Sequence, residues 1–276
     1  MGMSVRTNIA SMMAAGNLRR GQQNLTRSLE KVSSGLRINR AAEDAAGLGV
    51  ATTLETAVVS TQQAMRNTND GISIIQTTES ATEEVTDMLQ RMRELAIQSS
   101  SETLADAERS YLGDEFTQLR SEIQRVAQVT NFNGINLTDG NTNTLAVQVG
   151  INNDSQSRID IALVNLTTGT TGLAIGAASL DTVSGAQAAL DTLDTALASV
   201  NSSRSVLGAV QNRLDSSLNN SQYYVEALAA AQSQIMDTDF ATESSNLTAL
   251  QIMQQAGVAS LAQAKNINQS VVSLLS

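Results

Sequence analysis

The residues of this chain that could perform acid–base chemistry are its carboxylates, because its 276 residues include no Cys and no His. That inventory excludes thiol nucleophiles, disulfides, metal sites built on Cys or His, and imidazole catalysis. Paired acids such as Glu83 with Glu84, or Asp191 with Asp194, are the candidates for such chemistry. Both pairs fall in stretches of helical pattern, where carboxylates usually form a solvated face. We therefore predict no enzyme active site, no metal site and no cofactor.

The composition points to a mainly α-helical protein. Aromatic residues make up 2% of the chain, so Ala, Leu, Val, Ile and Met must supply most of the buried surface. Such side chains suit close-packed helices better than a broad sandwich core. The chain also contains no Pro. Because no proline ring interrupts them, very long helices are permitted.

The charge distribution is uneven along the chain. The net charge of −10 argues against a nucleic-acid partner. Residues 1–40 nevertheless carry seven Arg and Lys residues against Glu30 alone, whereas residues 237–276 carry three acidic residues and Lys265. Two interpretations stay open at this point. A basic N-terminal helix pairs with a mildly acidic C-terminal helix, or the basic face is simply solvated.

The sequence gives no indication of insertion into a membrane. Residues 1–25 lack the continuous apolar segment of a signal peptide, and no run of 18 apolar residues occurs. We therefore expect neither a cleavable signal peptide nor membrane insertion. A route of export that is independent of a signal peptide stays open.

Both ends of the chain carry an apolar repeat with a spacing close to seven residues, which is typical of paired helices. Near the N-terminus the repeat comprises Leu18, Leu25, Leu29, Val32 and Leu36. Near the C-terminus it comprises Leu250, Gly257, Leu261, Ala264, Val271 and Leu275. Because chain ends usually fray, these repeats predict that the two ends pair with each other and then with copies of the chain. That favours an assembly subunit.

The remaining pattern predicts a chain that runs outward and returns, with a hairpin in the middle. Asn39 is expected to cap the second helix, and Asn69-Asp70-Gly71 is a turn signal inside a continuous apolar register, which we interpret as helix. The predicted elements are helices at 4–34, 41–99, 104–129, 184–235 and from 242 onward, linkers at 36–40 and 237–239, and a β-hairpin at about 145–164. Residues 165–180 are predicted to form a short Thr/Gly loop.

These elements predict two domains. An inner coiled-coil domain combines residues 1–40 with residues 237–276, and a helical-bundle domain with the β-hairpin occupies residues 41–236.

Specific strings in both halves carry a resemblance to a known family. They are TNIAS (7–11), VSSGLRIN (32–39), AEDAAGL (42–48), RNTNDGIS (66–73), LQRMRELA (89–96), FNG (132–134), LGAVQNRL (207–214), IMQQAG (252–257) and SVVSLL (270–275). With these strings the chain resembles bacterial flagellin over nearly its whole length. Because only residues 165–180 are left for outer variable domains, the resemblance is to a short form without them.

The resemblance implies a structural subunit of the bacterial flagellar filament. Such a subunit is exported unfolded through the flagellar type III apparatus and polymerises at the tip, beneath a cap, into a helical tube for swimming. The implied location is extracellular, and the implied partners are other copies, an export chaperone, the cap and hook-associated proteins. The implied self-assembly residues are Leu18, Leu25, Leu29, Val32, Leu36, Leu250, Leu261, Val271 and Leu275.

Two further sets of residues follow from the resemblance. Arg91, Leu95 and Glu115 correspond to a surface that many flagellins present to the animal innate-immune receptor for flagellin, and that also lies between protofilaments. Leu247, Leu250 and Leu261 are possible anchors for the export chaperone, in a helix-in-groove mode.

Two other functions remain as alternatives. A hook–filament junction protein would share the terminal helices. A secreted coiled-coil effector that acts on host membranes would need an extended apolar stretch, and the sequence contains none.

Overall fold

The computed structural model describes residues 7–273, with side chains described over residues 7–266. The described chain is mainly helical, with two small antiparallel strand pairs, as the composition and periodicity predict. In chain order its elements are α1 (Ile9–Ser34), α2 (Ala45–Ser99), α3 (Asp106–Val129), β1 (Asn131–Phe132), β2 (Ile135–Asn136), β3 (Thr144–Gln148), β4 (Arg158–Ala162), α4 (Val183–Met236) and α5 (Phe240–Ser273).

The chain divides into two compact units, which we call the terminal unit (residues up to 58 and from 227 onward) and the central unit (residues 59–226). In the terminal unit α1 and α5 lie against each other, as the apolar repeats at both ends predict. Asn8 contacts Ala264 at one end of the pair, and Ser28 contacts Glu243 at the other. Since the partner numbers fall along α5 as those along α1 rise, the two helices are antiparallel.

The two predicted linkers also pair with each other. α1 ends at Ser34, and the left-handed φ of 73° at the next residue, Gly35, turns the chain out of the helix. Leu36 then forms an antiparallel bridge with Asp237. The Arg37 N–H donates to the Met236 carbonyl at 2.6 Å, and the Thr238 N–H donates to the Gly35 carbonyl at 2.9 Å. These backbone contacts hold the end of α1 beside the start of α5.

The prediction that Asn39 caps the second helix is wrong. α2 begins at Ala45, and the Asp44 side chain accepts a hydrogen bond from the Gly47 N–H at 2.8 Å. Asn39 instead donates from its side chain back to the Leu36 carbonyl at 3.1 Å. Because residues 41–43 form a turn, the helix starts four residues later than the pattern predicts.

The central unit has a core of its own. α2, α3 and α4 contribute side chains to it, and the β3–β4 hairpin adds Ile159 and Ile161 from the inward face of β4. The largest fully buried side chains are Ile75, Leu89, Met92, Leu95, Phe116, Ile123, Leu137, Ile161, Leu166, Ile175, Leu180 and Leu193. Burial of this apolar surface stabilises the central unit.

Buried threonines in α2 are compatible with this core because their hydroxyls are satisfied within the helix. The hydroxyls of Thr68, Thr78 and Thr82 each donate to the carbonyl four residues earlier, at 2.6–2.8 Å. A buried hydroxyl without a partner would destabilise the fold, whereas these leave only methyl groups to pack.

Residues 165–180 lack regular secondary structure, as predicted, but they are not a free surface loop. Leu166, Leu173, Ile175 and Leu180 are all buried within this segment. The Arg120 guanidinium also donates to the carbonyls of Gly176 and Ala178. The segment therefore closes one side of the core.

The turn signal at Asn69-Asp70-Gly71 lies inside α2, as the apolar register predicts. Gly71 has a packing role there. A Cβ added at this residue would lie 3.1 Å and 3.3 Å from the two methyl carbons of Val147 on β3. The glycine therefore lets the hairpin approach the helix closely.

We predict that Gly71→Ala gives a lower free energy of unfolding than Gly208→Ala, by about 1–2 kcal/mol. Both glycines lie in helices, so both variants gain the same helix propensity. A Cβ at Gly208 meets nothing within 4 Å, whereas the one at Gly71 crowds Val147. Thermal and urea unfolding of the unassembled chain measures the difference. Equal stability of the two variants would show that the hairpin yields without cost.

Asp239 caps α5 from the second linker. Its Oδ1 atom accepts hydrogen bonds from the backbone N–H groups of Ala241 and Thr242, and its Oδ2 atom accepts one from the Thr242 hydroxyl at 2.8 Å. The Thr242 hydroxyl, followed by the two N–H groups, lowers the pKa of the Asp239 carboxyl below its ordinary value. The sequence pattern correctly predicts capping residues at this joint.

We predict that this cap makes the pairing of α1 and α5 sensitive to acid. A carboxyl with a lowered pKa in the folded state stabilises fully above its ordinary pKa and loses that contribution as the pH falls through the lowered value. Asp239→Asn keeps the capping geometry without titrating. At neutral pH the two chains should have similar thermal midpoints by circular dichroism, and on acidification that of the natural chain should fall further. Parallel pH curves would contradict this role.

Candidate assembly interface

The inward stripes of α1 and α5 hold the terminal unit together. Leu25 is 7% exposed, and Leu18, Val32 and Leu36 are half-buried. On α5, Leu247, Leu250 and Leu261 are likewise half-buried. A Cβ at Gly257 would lie 3.2 Å from the Leu18 Cδ1 atom, so this glycine brings the helices close together. Six of the nine predicted self-assembly residues are therefore buried or half-buried within the single chain.

Two predicted self-assembly residues cannot be placed in this way. Val271 lies in α5 beyond the described side chains, and Leu275 lies outside the described residues.

Polar contacts set the register of the pair. The Asn8 side chain caps α1 by accepting from the Ser11 N–H at 2.9 Å, and it donates to the Ala264 carbonyl on α5 at 2.9 Å. The Ser28 hydroxyl, 3% exposed, donates to Glu243 at 2.5 Å. Sequence reasoning missed Asn8 and Ser28. The position of Asn8 just before an amphipathic helix was the available signal.

Within residues 7–266 no ion pair joins α1 to α5. Arg40 instead pairs with Glu30 at 2.8 Å, within the N-terminal part of the chain. Glu243 is held by the Ser28 hydroxyl. Of the two interpretations of the basic N-terminal helix, the solvated basic face is therefore the one that these contacts favour.

A second group of apolar side chains on α1 and α5 has no cover in the single chain. Leu29 belongs to this group, at 47% exposure, because the inward stripe passes through Ser28 instead. We call the group the outer apolar set, and its members are Ile9, Met12, Met13, Leu29, Phe240, Ile252, Met253 and Val258. Exposure of so many large apolar side chains on two helices is typical of an interaction surface.

A groove between α1 and α5 lies beside this set. It encloses about 500 Å³ and is lined by Ala14, Leu18, Gly21, Leu250, Met253 and Gly257, among others. The small residues on α1 leave this space open, and Met253 belongs to both the groove and the outer apolar set.

Arg91 and Glu115 form a surface pair in the central unit, and Leu95 does not lie on that surface. The Arg91 guanidinium donates to Glu115 at 2.9 Å and to Glu94 at 2.9 Å. Leu95 is 1% exposed and belongs to the core. A partner at this face would meet Arg91 and Glu115, whereas Leu95 would act only by supporting the helix beneath them.

The acidic pairs considered for catalysis are exposed. Glu83 and Glu84 lie on the solvent side of α2, and Asp191 and Asp194 lie on α4. Asp194 accepts from the Arg93 guanidinium at 2.6 Å, and this contact lowers the pKa of the Asp194 carboxyl. A general acid needs a raised pKa, so Asp194 is a poor proton donor.

The described residues also lack two features of other functional classes. Over that part of the chain, no cluster of three or more acidic residues could hold a metal ion. No described helix is both long and apolar enough to cross a membrane.

We predict that alanine substitution of two leucines that are four residues apart on α1 has unequal effects on the stability of the unassembled chain. Leu25→Ala removes a buried side chain and should destabilise the terminal helices by about 2 kcal/mol, the lower end of the usual range, because the site lies near the surface. Leu29→Ala removes an exposed side chain and should change the stability of the unassembled chain by less than about 0.5 kcal/mol. Hydrogen exchange of the α1 and α5 amides measures both. A larger effect at Leu29 would contradict the inward stripe described above.

Comparisons with known proteins match both ends of the chain. The bacterial flagellin N-terminal helical region matches residues 5–144, and the bacterial flagellin C-terminal helical region matches residues 190–275. A flagellin from Halalkalibacterium halodurans is 42% identical over 273 residues, covering 99% of this chain and 100% of that protein. The flagellar filament 33 kDa core protein of Treponema phagedenis is 38% identical over 291 residues, covering 99% and 100% of the two chains.

A solved structure agrees with these relatives. The crystal structure of Bacillus cereus flagellin superposes with a TM-score of 0.50 at 31% identity, covering 56% of this chain and 88% of that chain. Between the two matched regions, residues 145–189 contain nearly all of the β-hairpin, the packed segment and the start of α4. The chain therefore belongs to the bacterial flagellin family, in a short form that lacks an outer variable domain.

Proposed function

We propose that this chain is a structural subunit of the bacterial flagellar filament and polymerises through its terminal helices. The observation that carries the proposal is the outer apolar set, which stays exposed although α1 and α5 are already paired. The names of the full-length relatives, a flagellin and a flagellar filament core protein, support the same function.

Assembly would be driven by burial of this apolar surface between copies, at about 25 cal/mol per Å² before the cost of ordering. The outer apolar set is exposed in the single chain and is therefore available to a second copy. A contact that repeats from one copy to the next without closing produces a helical polymer instead of a ring. The resulting tube serves swimming motility.

We further propose that the chain has the domain organisation and the export route that the resemblance implies. Residues 1–40 and 237–276 form the inner coiled-coil domain of the filament, and residues 41–236 form the domain around it. The chain is exported without a cleavable signal peptide and assembles outside the cell beneath a cap, next to hook-associated proteins. Before export, Leu247, Leu250 and Leu261 bind a chaperone, and the same residues are half-buried after folding.

The Arg91–Glu115 face is proposed as a contact between protofilaments and, in an animal host, as part of the surface for the innate-immune receptor. Arg91 and Glu115 are both exposed, so their side chains are accessible to a partner. No catalytic role is proposed, since the acidic pairs lie on solvated helix faces and Asp194 is bound to Arg93.

We predict that Leu29→Asp and Leu261→Asp abolish elongation of sheared filament seeds. Leu29 belongs to the outer apolar set and Leu261 to the pairing of α5, so a carboxylate would be buried without a partner at either site. Gln23→Glu is the matched control, because it adds the same charge to an exposed polar position on α1. The measurement is sedimentation with negative-stain microscopy.

The outcomes separate the candidate functions. Long filaments from the natural chain and from Gln23→Glu, with none from the two Asp variants, support the proposal. Normal filaments from Leu29→Asp and Leu261→Asp would contradict it. A natural chain that caps seeds without extending them would identify a hook–filament junction protein instead.

A further inference from the structure

Sulfur atoms are distributed unequally between the two units. The chain has nine Met and no Cys, so thioethers are its only sulfur groups. In the central unit Met88 and Met92 are buried, at 7% and 0% exposure. In the terminal unit Met12, Met13 and Met253 are 66%, 65% and 58% exposed.

The three exposed methionines all belong to the outer apolar set. Met12 and Met13 lie beside each other on α1, off the inward stripe, and Met253 on α5 lines the groove between the helices. In the unassembled chain these thioethers are open to solvent, and in the proposed filament the same side chains would be covered by another copy. The thioether groups that an oxidant can reach in the free subunit are therefore the same groups that assembly would bury.

We propose that Met12, Met13 and Met253 form a reversible oxidation site through which hydroperoxides block entry of the subunit into the filament. This inference rests on the proposed function. The thioether sulfur attacks one oxygen of the peroxide, a sulfur–oxygen bond forms and the oxygen–oxygen bond breaks. The sulfur is oxidised by two electrons, and the second peroxide oxygen takes up the electron pair of the broken bond. That oxygen also accepts the proton of the transferred hydroxyl and leaves as water when the peroxide is hydrogen peroxide, so that a sulfoxide is left on the side chain.

Oxidation of these methionines makes part of the outer apolar set polar. A thioether is apolar and adaptable, whereas a sulfoxide is polar and carries a strong hydrogen-bond acceptor. Covering that acceptor in an apolar contact without a donor opposes docking. Met253 shares its groove with Arg20 and Gln254, whose N–H groups can donate to a sulfoxide in the monomer, whereas Met12 and Met13 are followed and preceded by residues without a cation, Ala14 and Ser11. The oxidised subunit should therefore stay folded in its central unit yet fail to dock.

The reaction is reversible before assembly. Methionine sulfoxide reductases return each sulfoxide epimer to the thioether. A subunit that is still outside a filament keeps all three sites exposed to such enzymes, whereas an assembled subunit should be protected from both oxidation and repair.

The first test uses the natural full-length chain. Monomers are treated with graded hydrogen peroxide, quenched, added to sheared filament seeds and separated by sedimentation. Sulfoxide is mapped by tandem mass spectrometry, in which the tryptic peptide 7–19 contains both Met12 and Met13. We expect the three exposed methionines to oxidise on the order of tenfold faster than Met88 and Met92. Sulfoxide at the three sites should be depleted in the pellet by a similar factor. Equal sulfoxide in pellet and supernatant would overturn the proposal.

The second test uses variants. For the triple variant Met12→Leu, Met13→Leu, Met253→Leu, the ratio of assembly after peroxide to assembly before should stay near one, whatever its untreated rate. Met65→Leu, a half-buried position in the central unit, should remain as sensitive to peroxide as the natural chain. Equal sensitivity of the triple variant would overturn the assignment. If that variant does not assemble at all, the distribution of sulfoxide between pellet and supernatant for the natural chain tests the assignment instead.

Repair and the untreated control complete the design. Reductases for both epimers should restore sedimentation of oxidised monomers, and removal of the sulfoxides without recovery would contradict reversibility. Failure of the untreated chain to extend any seed would overturn the proposed function itself. Full extension by both treated and untreated chains would overturn only this inference.

Discussion

Two helices that lie side by side can each bury only the side chains that face the other helix. This geometric constraint determines which side chains of the terminal unit stay exposed. The inward stripe of α1 is narrow, with Leu25 and Ser28 as its buried members. The other apolar side chains on α1 and α5 remain in contact with water. A third surface must cover them. The apolar side chains at the two ends of this chain are thus buried fully only when the subunit assembles with a neighbouring copy.

The central unit differs in having a large buried core, although several apolar side chains on its surface also stay exposed. Three helices, a hairpin and the packed segment at 165–180 surround Phe116 and its neighbours. Local features of the sequence allow this core to pack closely. Hydroxyls such as that of Thr78 bond within their own helix, and Gly71 admits Val147. One part of the chain thus has a core of its own, while the other leaves apolar side chains of two paired helices available for assembly.

The sequence was sufficient to predict the helices, the hairpin and the pairing of the ends. The absence of Pro and a continuous apolar register predicted α2 through its turn signal, and alternation predicted β3 and β4. The side of a helix that meets its partner was harder to identify. Apolar spacing selected Leu29, whereas the acceptor on Glu243 makes Ser28 the buried residue. Such a choice depends on a contact 215 residues away, which no local pattern contains.

The same sequence separation determines the order in which the parts can form. Asn8 bonds to Ala264, so the α1–α5 pair cannot close until both ends of the chain are present. The contacts of the central unit span shorter separations and can form earlier. With no Pro and no Cys, neither prolyl isomerisation nor disulfide formation slows the chain. A subunit that emerges unfolded would therefore complete its central unit first and its assembly surface last, when a neighbour is available to cover it.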